Sequence, residues 1–186
     1  MKKKSTEEIL AESFQEIAAV KKANKITVSD IVRNCGMSPA TFYRHFKDKY
    51  DLIAWIYGQK CQEIFTQFNG SVNSRKETAH MWVNFCEENK TFLLNLIQNT
   101  KGYDSFLRNM VREHVRIIEN SINFAAGEDA LTEKIRMKAY LHSSGAVRLM
   151  YAWLMGKISA SKDELAESID ETLPTSIVRL ITPPKE

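Results

Sequence analysis

The chain has 186 residues, of which 44% are hydrophobic and 26% are charged, as expected for a globular protein of one large or two small domains. A formal net charge of only +3 argues against a protein that binds polyanions with its whole surface. The charge is uneven, since residues 1–60 hold 11 Lys or Arg and 7 Asp or Glu, while the remainder holds 15 and 16. Such asymmetry is typical of a DNA-binding head on a partner-binding body, although chance also produces an excess of four charges.

Other residue types exclude several classes of protein. Cys35, Cys61 and Cys86 are widely spaced and show no metal-ligand spacing, so we expect buried thiols in a reducing cytoplasm, and no metal or other cofactor. No apolar run approaches the roughly 20 residues of a membrane span, and acidic residues interrupt the N-terminal segment, which predicts neither a membrane anchor nor a signal peptide. The four histidines lack HExxH spacing, and no P-loop or nucleophile elbow occurs. We therefore predict a cytoplasmic protein that is not an enzyme.

The N-terminal segment predicts a basic arm followed by a helix. The arm, residues 1–4, either contacts DNA or is simply a solvated terminus. Ser5 or Thr6 is suited to cap the helix. Its apolar stripe is Ile9, Leu10, Phe14, Ile17 and Ala18.

Residues 27–49 predict two short helices joined by a tight turn. Thr27 is suited to cap the first helix, and Gly36 to end it in a left-handed conformation. Ser38 and Pro39 are typical of the N-cap and first position of the second helix. Phe42 and Phe46 lie four residues apart and share its buried face. The outward or sideways positions are then Ala40, Thr41, Tyr43, Arg44 and His45. This is the pattern of a helix-turn-helix, whose second helix enters the major groove of DNA.

The remainder also predicts helices, with no alternating strand pattern. The predicted ranges are 49–68, 74–89, 91–97, 103–125, 132–155 and 161–181, with residues 71–74 as a linker. Ser74, Thr91, Thr132 and Ser161 are the expected caps, and Pro174 predicts a kink or a restart. We therefore predict an all-α fold: a three-helix DNA-binding domain over residues 1–50 and a larger helical domain over residues 51–186 for effector binding and dimerisation.

The sequence TFYRHFKDKYDL resembles the end of the DNA-binding region of TetR-type transcriptional regulators, and the resemblance covers about residues 6–56. It implies contacts to phosphates or neighbouring bases by Thr27, Ser38, Thr41, Tyr43, His45 and Lys49. It implies that Pro39, Ala40 and Arg44 face base edges. Because Pro39 and Ala40 are short and apolar, we expect readout by Arg44 and by contacts to thymine methyl groups.

The resemblance also implies a function for the body. In this family the last two long helices pair with their copies, which here predicts a homodimer through residues 132–155 and 161–181. The alternative is a thicker monomer core. A dimer doubles the recognition helix and so reads a palindromic operator. The segment YAWLMGKISASKDELAESI resembles a TetR branch that includes dihydroxyacetone-kinase operon regulators.

A pocket between body helices is the expected place for an effector, either a small molecule or a protein. The candidate lining residues, each of which also fits a plain core position, are Trp82, Phe85, Phe106, Met110, His114, Tyr140 and Trp153. The alternative function is a helical adaptor that binds protein and not DNA. A helical-bundle enzyme would require an inward cluster of ionisable groups that the sequence does not show.

Overall fold

The computed structural model describes residues 4–68, 71–102 and 105–182, which contain ten α-helices and no strand. The helices are α1 (Thr6–Ala18), α2 (Val28–Asn34), α3 (Pro39–His45), α4 (Lys49–Phe65), α5 (Val72–Glu88), α6 (Lys90–Asn99), α7 (Phe106–Ala126), α8 (Glu133–Leu154), α9 (Lys162–Glu171) and α10 (Thr175–Ile181). The predicted all-α fold is confirmed.

Side-chain caps fix the starts of six helices, five of them at residues that the sequence predicted. Ser5, Thr27 and Ser161 form capping boxes with the acidic residue three positions later. Ser38 accepts from the Thr41 N–H, and Thr132 from the Ile135 N–H. Each cap satisfies a backbone N–H that has no partner inside its helix. These five predicted caps are confirmed, with Ser5 rather than Thr6 at the first, whereas the predicted caps Ser74 and Thr91 are wrong.

Two predicted helix starts are wrong. Helix α5 begins at Val72, because Ser71 is its cap and accepts a hydrogen bond from the Ser74 N–H; residues 71–74 are therefore helix start and not linker. Helix α6 begins at Lys90, directly after Asn89, so Thr91 is not its cap. The predicted start of the next helix at Tyr103 lies outside the described residues, and α7 begins at Phe106.

The described chain divides into two compact units. The head unit comprises Met1–Gln59 and Lys90–Arg108, and the body unit comprises Lys60–Asn89 and Asn109–Glu186. The division differs from the predicted domains in assigning residues 51–59 of α4, all of α6 and the start of α7 to the head unit. The boundary between a DNA-binding and an effector domain at residue 50 stays a prediction.

The head unit is organised around a core of fully buried side chains from α1, α2 and α3. Leu10, Phe14, Ile31 and Phe42 are each 0% exposed. The Ser13 hydroxyl donates to the Ile31 carbonyl at 2.7 Å, which attaches α1 to α2. Phe42 and Phe46, with ring centroids 5.8 Å apart, form the predicted buried face of α3.

Side chains from α4 and α6 hold the turn between α1 and α2. The ammonium group of Lys49 donates to the carbonyls of Ala23, Asn24 and Ile26, at 2.9, 3.2 and 2.7 Å. The Asn95 amide donates to the Ala18 carbonyl at 2.8 Å and accepts from the Ala23 N–H at 3.0 Å. These bonds satisfy the backbone groups that the turn leaves unpaired, and so fix where α2 begins.

In the body unit, α5 makes its most extensive contact with α9, and α8 packs against α5 and α10. Pro174 produces the predicted restart, since α9 ends at Glu171 and α10 begins at Thr175. Most apolar residues of α9 and α10 are buried in the unit itself, while Val178 and Leu180 are half-buried; the buried ones are Leu165, Ala166, Ile169, Ile177 and Ile181. Cys61 and Cys86 are buried as predicted, whereas Cys35 in the head is partly exposed.

One face of α8 remains apolar and exposed. Met137, Tyr140 and Leu141 are 59%, 60% and 71% exposed, and Gly145 follows on the same face. Phe124 near the end of α7 is 95% exposed. Among the helices of the described ranges, none combines the length and the hydropathy that a membrane span requires.

Candidate functional site

The second helix of the motif, α3, presents a continuous exposed face. Pro39, Ala40, Tyr43 and Arg44 are all exposed, while Phe42 between them is buried. The helix is held on the head by its apolar side, so the opposite side is available to a partner. The structure thus gives the predicted outward positions the exposure that a groove-binding helix needs.

The start of α3 is organised by hydroxyl groups. The Ser38 and Thr41 hydroxyl oxygens are 3.0 Å apart and share a hydrogen bond, and the Arg44 guanidinium lies 3.5 Å from the Thr41 oxygen. The Arg44 side chain is therefore held on the exposed face only by this one long contact. A planar guanidinium presented in this way can make a bidentate contact with guanine.

Two of the predicted contact residues have partners within the head. His45 Nδ1 lies 2.9 Å from Glu7 Oε1, which connects the end of α3 to α1. The pKa of Glu7 is lowered, first by a backbone hydrogen bond and then by His45. In the structure, His45 orients α3; its contact with DNA remains a prediction.

Lys49 has a similar structural role. Burial lowers the pKa of its ammonium group, and the nearby charge of Lys21 acts in the same direction. The three hydrogen bonds to backbone carbonyls hold the Lys49 ammonium against the head. Helix α4 begins at Lys49, and its N-terminal N–H groups are therefore better placed than the ammonium to contact a phosphate. Thr27 caps α2 and remains exposed beside this turn.

The body unit contains a mainly apolar cavity of about 100 Å³. Trp82 and His114 are the two predicted pocket residues that line it. Their rings are 4.4 Å apart and nearly perpendicular. A cavity between body helices therefore exists in the region that the sequence indicated.

The other predicted pocket residues lie elsewhere. Phe106 and Met110 are 1% exposed core residues, and Trp153 Nε1 donates to the Ala160 carbonyl at 2.9 Å. Phe85 lies under the Lys60 ammonium, 5.9 Å from ring centroid to nitrogen. Tyr140 is exposed on α8 and does not line the cavity. Helical spacing shows which apolar residues share one face of a helix, but not which of them border a cavity.

The polar residues of the cavity were missed by sequence analysis. Arg75 Nη1 lies 2.8 Å from Asp170 Oδ1, and the Asp170 side chain is 4% exposed. His142 and Ser143 from α8 complete this polar side. The only sequence signal was the small Ser143–Ala146 segment, which indicates close helix approach and not a binding site.

Burial governs the ionisation of these groups. It lowers the pKa of His114 to about 3, with His142 adding a smaller effect, and it lowers the pKa of His142. Burial also raises the pKa of Asp170, and Arg75 opposes that rise. At neutral pH both histidines are uncharged, and Arg75 and Asp170 balance each other.

Comparisons with known proteins agree with this architecture. Residues 13–56 match the sequence model for bacterial regulatory proteins of the tetR family. Over 101 residues the chain is 24% identical to the HTH-type dhaKLM operon transcriptional activator DhaS of Lactococcus lactis subsp. lactis (strain IL1403). That match covers 54% of each protein, so it spans about half the length of this curated relative.

Two solved structures share the fold. The dihydroxyacetone kinase operon activator DhaS superposes with a TM-score of 0.59 at 16% identity, over 92% of this chain and 96% of its own. A TetR transcriptional regulator from Rhodococcus sp. RHA1 gives a TM-score of 0.64 at 17% identity, with the same coverage.

An all-α chain with a helix-turn-helix at its N-terminus and an exposed second helix has the architecture of helix-turn-helix DNA-binding proteins. Residues 13–56 are similar to the tetR family of bacterial regulatory proteins, and the chain is similar to DhaS in sequence over about half its length and in fold.

Proposed function

We propose that this protein binds a palindromic operator as a homodimer, reads it with α3, and changes its affinity when an effector occupies the body. The exposed α3 face with Arg44 carries the proposal, because the remainder of that helix is committed to the head core. The positive balance of the first 60 residues supports attraction to phosphates. The relatives named as activators of the dhaKLM and dihydroxyacetone kinase operons support control of a metabolic operon.

Selection of bound sequences from random duplex DNA tests this function. We expect enrichment of an inverted repeat whose half-sites lie about one helical turn apart, because a two-fold dimer presents two copies of α3. The adaptor alternative predicts no retention of DNA at any salt concentration. Footprinting of the selected site relative to a promoter then measures the direction of regulation.

Arg44→Ala is expected to lower the preference for the selected site over scrambled DNA by about 5- to 150-fold, because an arginine–guanine pair contributes about 1–3 kcal/mol of discrimination. The matched control is Tyr43→Phe, which removes one hydroxyl from the same exposed face. We expect the control to weaken binding to both duplexes equally. Titrations at several salt concentrations measure both.

Equal losses on both duplexes for Arg44→Ala, with the salt slope reduced by about one, would show that Arg44 contacts a phosphate. Base readout by this residue would then be wrong.

The exposed α8 face is the proposed dimer interface. Most apolar residues of α9 and α10 are buried within the subunit, whereas Met137, Tyr140 and Leu141 on α8 are exposed. Gly145 lies on the same face, and a Cβ added there meets no atom within 4 Å of its own subunit. A glycine with open space above it permits close approach of a second helix. We therefore centre the interface on α8, with Phe124 of α7 at its edge.

Gly145→Leu is expected to weaken the dimer by about 1–3 kcal/mol through overpacking, while the subunit itself is not destabilised. The subunit has room for the side chain, and leucine is the better helix former by roughly 0.8–1 kcal/mol. Sedimentation at several concentrations measures the dimer, and thermal unfolding measures the subunit. Gly145→Ala is the control and should have a smaller effect. A wild-type monomer at micromolar concentration would contradict the interface.

A further inference from the structure

The polar side of the body cavity contains one hydroxyl group whose hydrogen-bonding capacity is unused. Ser143 is 0% exposed, and its Oγ has no hydrogen-bond partner among the described residues. A buried hydroxyl without a partner loses its hydration and gains nothing in return. The neighbouring hydroxyl of Thr78, by contrast, donates to the Ser74 carbonyl at 2.7 Å. Ser143 is thus the one hydroxyl of this pair that remains available to a ligand in the cavity.

Asp170 offers an acceptor beside it. Its Oδ1 atom is paired electrostatically with Arg75 Nη1 at 2.8 Å, but it forms no hydrogen bond of good geometry within the described part of the chain. Arg75 Nη1 instead donates to the Asp170 backbone carbonyl at 3.0 Å. The carboxylate is therefore held in the cavity lining with an acceptor oxygen whose hydrogen-bonding capacity is unused.

The charges on the lining sum to zero. Arg75 and Asp170 cancel, and His114 and His142 are uncharged near neutral pH because burial lowers their pKa values. A charged ligand would bring an uncompensated charge into a mainly apolar cavity, which is costly. An uncharged ligand avoids that cost.

The size of the cavity sets a second limit. A water molecule occupies about 30 Å³ in the liquid, so a cavity of about 100 Å³ has room for a molecule of roughly three to six non-hydrogen atoms. This space is too small for the drug-sized ligands of larger pockets.

We propose that the body cavity binds a small uncharged molecule bearing hydroxyl or carbonyl groups, which donates a hydrogen bond to Asp170 and exchanges one with Ser143. This inference rests on the proposed function only in treating that molecule as the effector. Trp82 and the apolar wall surround its carbon skeleton.

Binding is tested on the full-length protein without DNA, by NMR of the histidine rings. The uncharged probes are glycerol, 1,2-propanediol and hydroxyacetone; the charged probe of similar size is lactate, and the apolar probe is cyclopentane. We expect at least one uncharged polar probe to shift the His114 and His142 signals, with a dissociation constant of about 0.1–10 mM. We expect the dissociation constants of lactate and cyclopentane to be at least about tenfold higher than that of the uncharged polar probe.

Two variants locate the contacts. Ser143→Ala should lower the affinity for the probe by about 2- to 12-fold. It should not lower protein stability, because it removes a hydroxyl that has no partner within the described residues. Asp170→Asn leaves the Arg75 charge unbalanced and should reverse the preference, so that lactate binds more tightly than glycerol. Gln62→Ala, at an exposed position of α4 that does not line the cavity, is the control and should change neither affinity.

Three results would overturn the assignment: no shift with any uncharged polar probe at about 50 mM, tighter binding of lactate by the unmodified protein, or unchanged probe affinity in Ser143→Ala. Failure of the proposed function is a separate result, because it shows as a loss of DNA retention while the cavity still binds its probe.

Discussion

Phe42→Ala is expected to lower the free energy of unfolding of the head unit by about 3–5 kcal/mol, the range for removing a buried phenylalanine. Phe42 is 0% exposed and contacts Phe46, with ring centroids 5.8 Å apart. Its loss opens a cavity beneath α3, a helix of seven residues that has too few turns to be stable without packing. Chemical denaturation measures the loss, and amide hydrogen exchange of residues 39–45 shows whether α3 opens first.

Tyr43→Ala is the matched control, because Tyr43 follows Phe42 in the chain and is 60% exposed. It forfeits at most the edge contact between the two rings, worth about 0.5–1.5 kcal/mol. If the two variants were equally stable, the packing of α3 described above would be incorrect.

Acidification is expected to destabilise the body unit through His114. The pKa of His114 is about 3 in the folded protein and about 6.5 in an unfolded chain. Between these values the unfolded state binds a proton that the folded state does not, so stability is complete above about pH 6.5 and falls as the pH falls. The loss is about 1.4 kcal/mol for each pH unit, or about 2 kcal/mol between pH 6.5 and pH 5.

Unfolding free energies of wild type and His114→Phe at these two pH values measure that contribution. We expect the variant to lack this part of the pH dependence, whatever its stability at pH 7. His80→Gln, which removes a partly exposed histidine of α5, is the control and should retain it. An NMR titration in which His114 takes up a proton near pH 6.5 in the folded protein would contradict the predicted destabilisation.

The placement of α3 has a functional consequence that the individual residues do not show. Its orientation depends on Phe42 beneath it, on the His45–Glu7 contact at its end, and on the Lys49 contacts in the turn before α2. Under the proposed function, substitutions at His45 or Lys49 are therefore expected to change the position of α3 as well as any contact of their own with DNA. For this reason the readout test uses Arg44 and Tyr43, whose side chains are exposed.

The sequence by itself determined the local structure of the head. The caps at Thr27 and Ser38, the glycine at position 36 with φ of 70° and the spacing of Phe42 and Phe46 all act within a few residues. Such interactions depend on neighbours in the chain, so their residue pattern predicts them. The same holds for the cap at Ser161.

Tertiary structure alone decided the cavity and the exposed α8 face. The Arg75–Asp170 pair joins residues far apart in sequence, and no spacing rule connects them. Tyr140 and Trp82 are both aromatic residues on apolar helix stripes, yet one is exposed and the other is 2% exposed beside the cavity. Whether an apolar side chain borders a void, a neighbouring helix or a second subunit depends on how helices pack, and periodicity along one helix carries no information about that.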